Sequence, residues 1–260
     1  MNLPIDVLPS LSRLKDKGGV GKTSLSATIV KTLVQTYPDK KILAIDADPA
    51  VGLSTALGID VKYTIDDIRK DIIENVENGN NREAIEILNE AKFRIFDAMV
   101  ETDGYSFIAV GRPESAGCYC KINAYLKDII SILSEEFDFV VIDGEAGIEQ
   151  INRRVMEKVS HLILITDMSK KGRDVCATIK AVADNLVMYE KIGVIVNRVT
   201  DKSLLKLMDF GGVDVLAAIG DDKNLTKFDL TGENVFNLPE NSEIVEGVKT
   251  ALSAIGVLNK

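Results

Sequence analysis

The chain's 260 residues are 46% apolar and 27% charged, with 19 Gly and 6 Pro. That balance excludes collagenous, low-complexity and disordered classes and allows a core that needs neither disulfide nor structural metal. Lys and Arg number 31 against 40 Asp and Glu, and the net charge of −9 with only three cysteines argues for a reducing cytoplasmic compartment, with neither nucleic acid nor membrane as partner.

Along the chain, the first feature is a glycine-rich run, Lys17-Gly18-Gly19-Val20-Gly21-Lys22-Thr23. It leads into a helix predicted over Ser24 to Val34, with Leu25, Ile29, Val30, Leu33 and Val34 on one apolar stripe. A strand at Ile42 to Ile45 ends on Asp46-Ala47-Asp48-Pro49. Between Asp66 and Val100 a charged helical stretch, broken at Glu77-Asn78-Gly79-Asn80-Asn81, reads as a helical insertion at about residues 62–104. Its acidic part reads as a solvated face. Strands follow at Ser106 to Val110, Phe139 to Ile142, Leu162 to Thr166 and Ile192 to Val196, and a last helix is predicted over Glu240 to Ile255. His161 is expected to open its strand in a structural role, and Cys176 to be a small buried hydrophobe within a helix. Runs such as Val140-Val141-Ile142 are apolar on successive residues, as strands buried on both faces require. The expectation is an α/β fold, a doubly wound, mostly parallel sheet flanked by helices. No repeat and no Ser/Pro-rich linker interrupts it, so residues 1–260 read as one domain.

The glycine-rich run has the chemistry of a phosphate loop. Backbone N–H groups from Gly18 to Ser24 can curl around an anion, and the helix N-terminus adds partial positive charge. Lys22 can reach terminal phosphates, and the Thr23 hydroxyl suits Mg²⁺. A plain glycine-rich turn is the competing reading. Asp46 and Asp48 close one predicted strand, and Asp143 closes another in Phe139-Val140-Val141-Ile142-Asp143-Gly144-Glu145-Ala146-Gly147. Carboxylates at strand ends are either turn formers or ligands facing the edge where α/β sheets bind.

With its second lysine, Lys17, the loop resembles the deviant Walker A ATPases, the class that holds MinD, ParA, the nitrogenase iron protein and the nickel-insertion protein CooC. The resemblance implies a P-loop NTPase fold, ATP and Mg²⁺ as cofactors, and a homodimer in which Lys17 reaches the partner's nucleotide. Gly18, Gly19, Val20, Gly21, Lys22, Thr23 and Ser24 would hold the nucleotide. Asp48 would orient the attacking water, and Thr23, Asp46 and Asp143 would attend the magnesium. Asn197 matches the class's purine-recognising asparagine, with a turn-forming role as its rival. Asp16 stands where the class has glycine, and Pro9-Ser10-Leu11-Ser12-Arg13-Leu14-Lys15 makes a poor apolar first strand. Weakened nucleotide affinity is the corresponding expectation, because a carboxylate repels triphosphate and Pro9 cannot donate to a central ladder.

Cys118 and Cys120 sit in Gly111-Arg112-Pro113-Glu114-Ser115-Ala116-Gly117-Cys118-Tyr119-Cys120. In extended chain, residues i and i+2 project to one side, which gives half of a four-thiolate site. A two-fold dimer would supply the other half. Two small core-filling residues are the alternative. The motif, with Asp143-Gly144-Glu145-Ala146-Gly147 and Ile165-Thr166-Asp167-Met168-Ser169-Lys170-Lys171-Gly172, resembles CooC and its relative AcsF, the ATPases that mature nickel-containing carbon monoxide dehydrogenase and acetyl-CoA synthase. This implies an ATP-hydrolysing accessory protein with Cys118 and Cys120 as nickel ligands, Zn²⁺ being admissible at the same thiolates, and a nickel enzyme as client. Two rival readings bear on the same residues. A positioning ATPase of the MinD or ParA kind needs a basic amphipathic helix or surface, whereas the last helix carries Glu243 and Glu246 beside Lys249. An iron–sulfur reductase needs two well-separated cluster cysteines per chain.

Overall fold

A run of consecutive apolar residues is stable as a strand only when both faces of its sheet are covered, and the chain folds accordingly. The computed structural model describes residues 5–9, 20–48, 52–68, 70–71, 94–111, 132–133, 135–144 and 158–258. In chain order these hold β1 (Ile5–Pro9), α1 (Lys22–Thr36), β2 (Ile42–Asp46), α2 (Gly52–Leu57), β3 (Val100–Glu101), β4 (Ser106–Ala109), β5 (Phe139–Asp143) and β6 (Lys158–Thr166). Then come α3 (Lys170–Leu186), β7 (Met188–Val196), β8 (Val215–Ala218), α4 (Lys223–Thr231) and α5 (Glu243–Ile255), with short 3-10 helices at Lys202–Leu207 and Val235–Asn237.

The described strands form one sheet in the order β3-β4-β2-β5-β1-β6-β7-β8. All pairings are parallel except that of β3, which runs antiparallel along β4 at the edge. Successive strand residues feed opposite layers. Ile42 and Ala44 pack with Leu25, Ile29 and Leu33 of α1 and with Val248 and Leu252 of α5. Leu43 and Ile45 belong to the other layer, with Cys176, Ile179 and Ala183 of α3. This two-sided burial is the doubly wound architecture expected from the unbroken apolar runs.

Several boundaries differ from the sequence reading. β6 and β7 begin at Lys158 and Met188, ahead of their apolar runs, so His161 is the fourth residue of its strand rather than the first. The first strand lies at Ile5–Pro9, ahead of the polar segment 10–15, and is central, pairing with both β5 and β6. Pro9, with no N–H to give, stands last in it. Of the expected insertion the described parts are helical at 65–68, 70–71 and 94–97, followed by β3. Cys176 is fully buried in α3, as expected. No helix among the described residues is long and apolar enough to cross a membrane.

Two polar side chains join the helices that flank the later strands. Asp222, 7% exposed, caps α4 by accepting from Asn224 N at 2.8 Å and Leu225 N at 3.1 Å. Its other oxygen accepts from Ile244 N at 3.0 Å, in the first turn of α5, whose own N-cap Ser242 makes no side-chain cap bond. One carboxylate therefore serves two helix N-termini, where negative charge is favoured. Lys31, buried in the middle of α1 at 1% exposure, donates to the Leu238 carbonyl and lies 3.4 Å from Glu240. Glu240 also accepts from Gln35 of α1 at 2.9 Å and from Lys249 of α5 at 2.8 Å.

Asp222→Ala removes both caps and is expected to cost about 2–4 kcal/mol, read as a lowered midpoint in urea unfolding with an unchanged slope. Glu240 is held down to about 2, chiefly by its hydrogen bonds from Lys249 and Gln35. A carboxylate with a lowered folded-state value stabilises above its unfolded-state range and loses that contribution as pH falls toward 2. Because Glu240 is 55% exposed, Glu240→Gln should lower stability at pH 7 by less than about 1 kcal/mol. The deficit should shrink between pH 4.5 and pH 2 in paired melts, and a constant deficit would contradict this origin.

Candidate functional site

The order of the strands decides where polar groups can gather. From β1 the chain moves outward to β2 and β4, returns to β5 beside β1, then continues outward on the other side through β6, β7 and β8. The reversal lies between β1 and β5, and ligands of open α/β sheets bind outside the carboxyl ends at such a point. Asp46, Asp143, Thr166 and Val196 end β2, β5, β6 and β7. Val20 and Gly21 stand at the same edge, at the start of α1, with the Val20 carbonyl against Asn197.

Gly21 is the N-cap of α1 at φ 86°, a left-handed conformation that disfavours any other side chain, and it provides no side-chain cap. A Cβ there would come within 2.5 Å of Asn197 Nδ2. That amide donates to the Val20 carbonyl at 2.9 Å, while the Asn197 backbone N–H donates to the Thr166 carbonyl at 2.7 Å. Asn197 thus ties the loop to the ends of β6 and β7, a positional task beyond the base-recognising role expected of it.

On the opposite flank, charge is concentrated in little space. Lys22, 7% exposed, places Nζ 2.7 Å from Asp48 Oδ2 and 3.6 Å from Asp143 Oδ1, and also donates to the Gly144 carbonyl. Thr23 Oγ1 donates to Asp143 Oδ2 at 3.1 Å, and Ser26 Oγ to Asp143 Oδ1 at 2.8 Å. Asp46, fully buried, is in register with Asp143 on the adjacent strand. It accepts from Leu53 N at 2.8 Å and Asp48 N at 3.2 Å. Burial, then the charge of Asp143, pushes Asp46 up to about 7, against the pull of those two N–H groups. Burial also raises Asp143, while Lys22, Ser26 and Thr23 act in the opposite direction.

Two buried carboxylates beside one ammonium favour further positive charge. The oxygen donors of Thr23, Asp46 and Asp143 suit a hard cation such as Mg²⁺. No group of three or more His, Cys, Asp or Glu among the described residues could hold a metal by itself.

Of the residues singled out from sequence, Val20, Gly21, Lys22, Thr23, Ser24, Asp46, Asp48, Asp143 and Asn197 are brought to this edge. Asp16, Lys17, Gly18, Gly19, Cys118 and Cys120 lie outside the described residues. Ser26 was missed, although its i+3 spacing from Thr23 puts both on one helix face. Asp229 of α4, whose Oδ1 is 3.4 Å from Ser24 Oγ, was missed as well.

The chain is similar to known nucleotide-binding proteins. Residues 14–235 match the family model described as CobQ/CobB/MinD/ParA nucleotide binding domain. An uncharacterised ATP-binding protein of Methanocaldococcus jannaschii is 36% identical over 237 residues, covering 90% of this chain and 93% of the relative. The carbon monoxide dehydrogenase accessory protein CooC of Rhodospirillum rubrum is 26% identical over 238 residues, covering 83% and 88%. Among solved structures, the MinD cell division protein of Aquifex aeolicus superposes with a TM-score of 0.68 at 17% identity, covering 99% and 98%. At that identity the likeness speaks for the fold.

Gly21→Ala should cost about 1–3 kcal/mol, because it forces a side chain into positive φ and against Asn197. Thermal melts measure it, and Asn197→Ala in the same background should recover the part due to the clash.

Proposed function

Because the chain belongs to the CobQ/CobB/MinD/ParA nucleotide-binding family, we propose that it is a Mg²⁺-dependent ATPase that handles nickel for the maturation of a nickel enzyme. The observation that carries the ATPase part is the convergence of Lys22, Thr23, Asp46, Asp48 and Asp143 at the N-terminus of α1. Backbone N–H groups from Gly18 to Ser24 cradle the triphosphate, and Lys22 neutralises its terminal oxygens. Thr23, Asp46 and Asp143 would hold Mg²⁺, which would offset charge on the triphosphate. Asp48 orients the attacking water, whose oxygen bonds to the γ-phosphorus as the bond to the β-phosphate oxygen breaks, giving ADP and phosphate. Lys17 of one protomer completes the partner's site in an ATP-bound homodimer.

The nickel part rests on the C-x-C pair, Cys118 and Cys120, and on the similarity to CooC over most of the chain. Nickel is cargo, gripped by two thiolates from each protomer, with a carbon monoxide dehydrogenase or acetyl-CoA synthase as client. Zn²⁺ suits the same sulfurs. The MinD and ParA relatives support a positioning ATPase equally at the level of family and fold. Against membrane attachment through α5 stands the burial of its apolar residues Ile244, Val245, Val248, Ala251, Leu252 and Ile255. An iron–sulfur reductase is less suited, because Cys176 is fully buried within α3.

Lys22→Ala should lower ATP turnover by about 10²–10³-fold in a phosphate-release assay. Wild-type-like turnover would remove this lysine from the mechanism. Anaerobic nickel titration should reach one ion per two chains, with thiolate charge-transfer absorption lost in Cys118→Ser and affinity falling as pH drops. ATP hydrolysis without nickel uptake would leave the ATPase and refute the metal role.

A further inference from the structure

Ser24 and Asp229 meet on the side of the phosphate loop away from the magnesium carboxylates. The sheet order fixes the two sides: Asp46 and Asp143 end β2 and β5, on one side of β1, whereas Asn197 and Arg198 follow β7 on the other. On that second side, Asp229 Oδ1 lies 3.4 Å from Ser24 Oγ in the first turn of α1. Arg198, at φ 56° the one non-glycine residue in positive φ among those described, acts on the same carboxylate with its positive charge. Three elements, α1, the end of β7 and α4, therefore bring a hydroxyl, a guanidinium and a carboxylate beside the loop, at a spacing looser than a good mutual bond.

An ionised carboxylate only accepts hydrogen bonds and repels phosphate. Of a nucleotide whose phosphates lie along the loop to Lys22, the part that can stand at Asp229 is uncharged and rich in O–H donors. The ribose is that part, because its two vicinal hydroxyls can both donate to one carboxylate. We propose that Asp229, with Ser24, binds the ribose hydroxyls and makes the site select ribonucleotides over deoxyribonucleotides. The inference rests on the nucleotide reading above. A purely structural alternative is that Asp229 serves the dipole of α1, whose first turn has no acidic residue of its own. That role would change stability and leave sugar selectivity untouched.

Calorimetric titration of the full chain with Mg-ADP, Mg-2′-deoxyADP and Mg-3′-deoxyADP separates these possibilities without hydrolysis. Wild type should bind ADP about tenfold more tightly than either deoxy analogue, as loss of a hydrogen bond to a charged acceptor predicts. In Asp229→Ala the ratio should fall to near one, because ADP loses both hydroxyl bonds and each deoxy analogue only the one it retains, so ADP affinity falls about tenfold further than that of either analogue. Asp229→Asn, which keeps one acceptor, should fall between. Wild-type ADP binding with a ratio near one, or a ratio that survives in Asp229→Ala, overturns the ribose role and leaves the nucleotide site standing. No binding of any of the three to wild type overturns both. Asp229 is exposed, so melts of the variants should match wild type and exclude misfolding.

Discussion

The structure depends on keeping the Asp143 carboxylate in a place where water cannot reach it. A lone buried carboxylate is prohibitively costly, and this one is made tolerable by Ser26, Thr23 and Lys22, all on one face of α1. The constraint acts in both directions. It fixes the first turn of α1 against the end of β5, and it holds the loop lysine within reach of two strand ends at once. Asp46 adds a second buried carboxylate on the neighbouring strand, and Leu53 and Asp48 supply backbone donors that keep it in place. Such a cluster is poorly suited to a structural core, where apolar packing of the same volume is usually at least as stable. It is well suited to meeting cations and polyanions, whose own charges balance the arrangement.

The loop is fixed from its other side by a neutral contact. Asn197 spans from the end of β7 to Val20, and the bare Cα of Gly21 allows the close approach. Charge therefore governs one flank of the site and shape the other. Farther out, Asp222 and Glu240 tie α4 and α5 to each other and to α1, so the helix that carries Lys22 is braced along its length.

Much of this was legible in the sequence for definite reasons. β2, β4 and β5 are bounded by the ends of apolar runs because both faces of each are covered, and α1 and α5 carry clear apolar stripes. The early halves of β6 and β7 were hidden because Lys158 and Ser160 break the apolar run of β6, although Val159 and Ser160 are buried, and because β7 begins with the exposed residues Met188, Glu190 and Lys191. β1 was misplaced because Asp6 and Pro9 disguise a five-residue strand whose residues Ile5, Asp6 and Val7 pair on both sides. α4 buries only Phe228, too little for a stripe. In the site, Lys22, Thr23, Asp46, Asp48 and Asp143 could be found because they fall in order at strand ends. Ser26 and Asp229 could not, because a single polar residue on a helix looks like any solvated one until tertiary structure shows what it touches.

The central position of β1 has a consequence for the order in which the molecule is made. Ile5 stands in register with Val141 on one side and His161 on the other. β1 therefore waits for its neighbours until β5 and β6, more than a hundred residues farther along the chain, have been synthesised. Until then the growing chain cannot close its sheet, so folding is governed by a long-range pairing that is slow by nature and leaves strand edges uncovered while it waits.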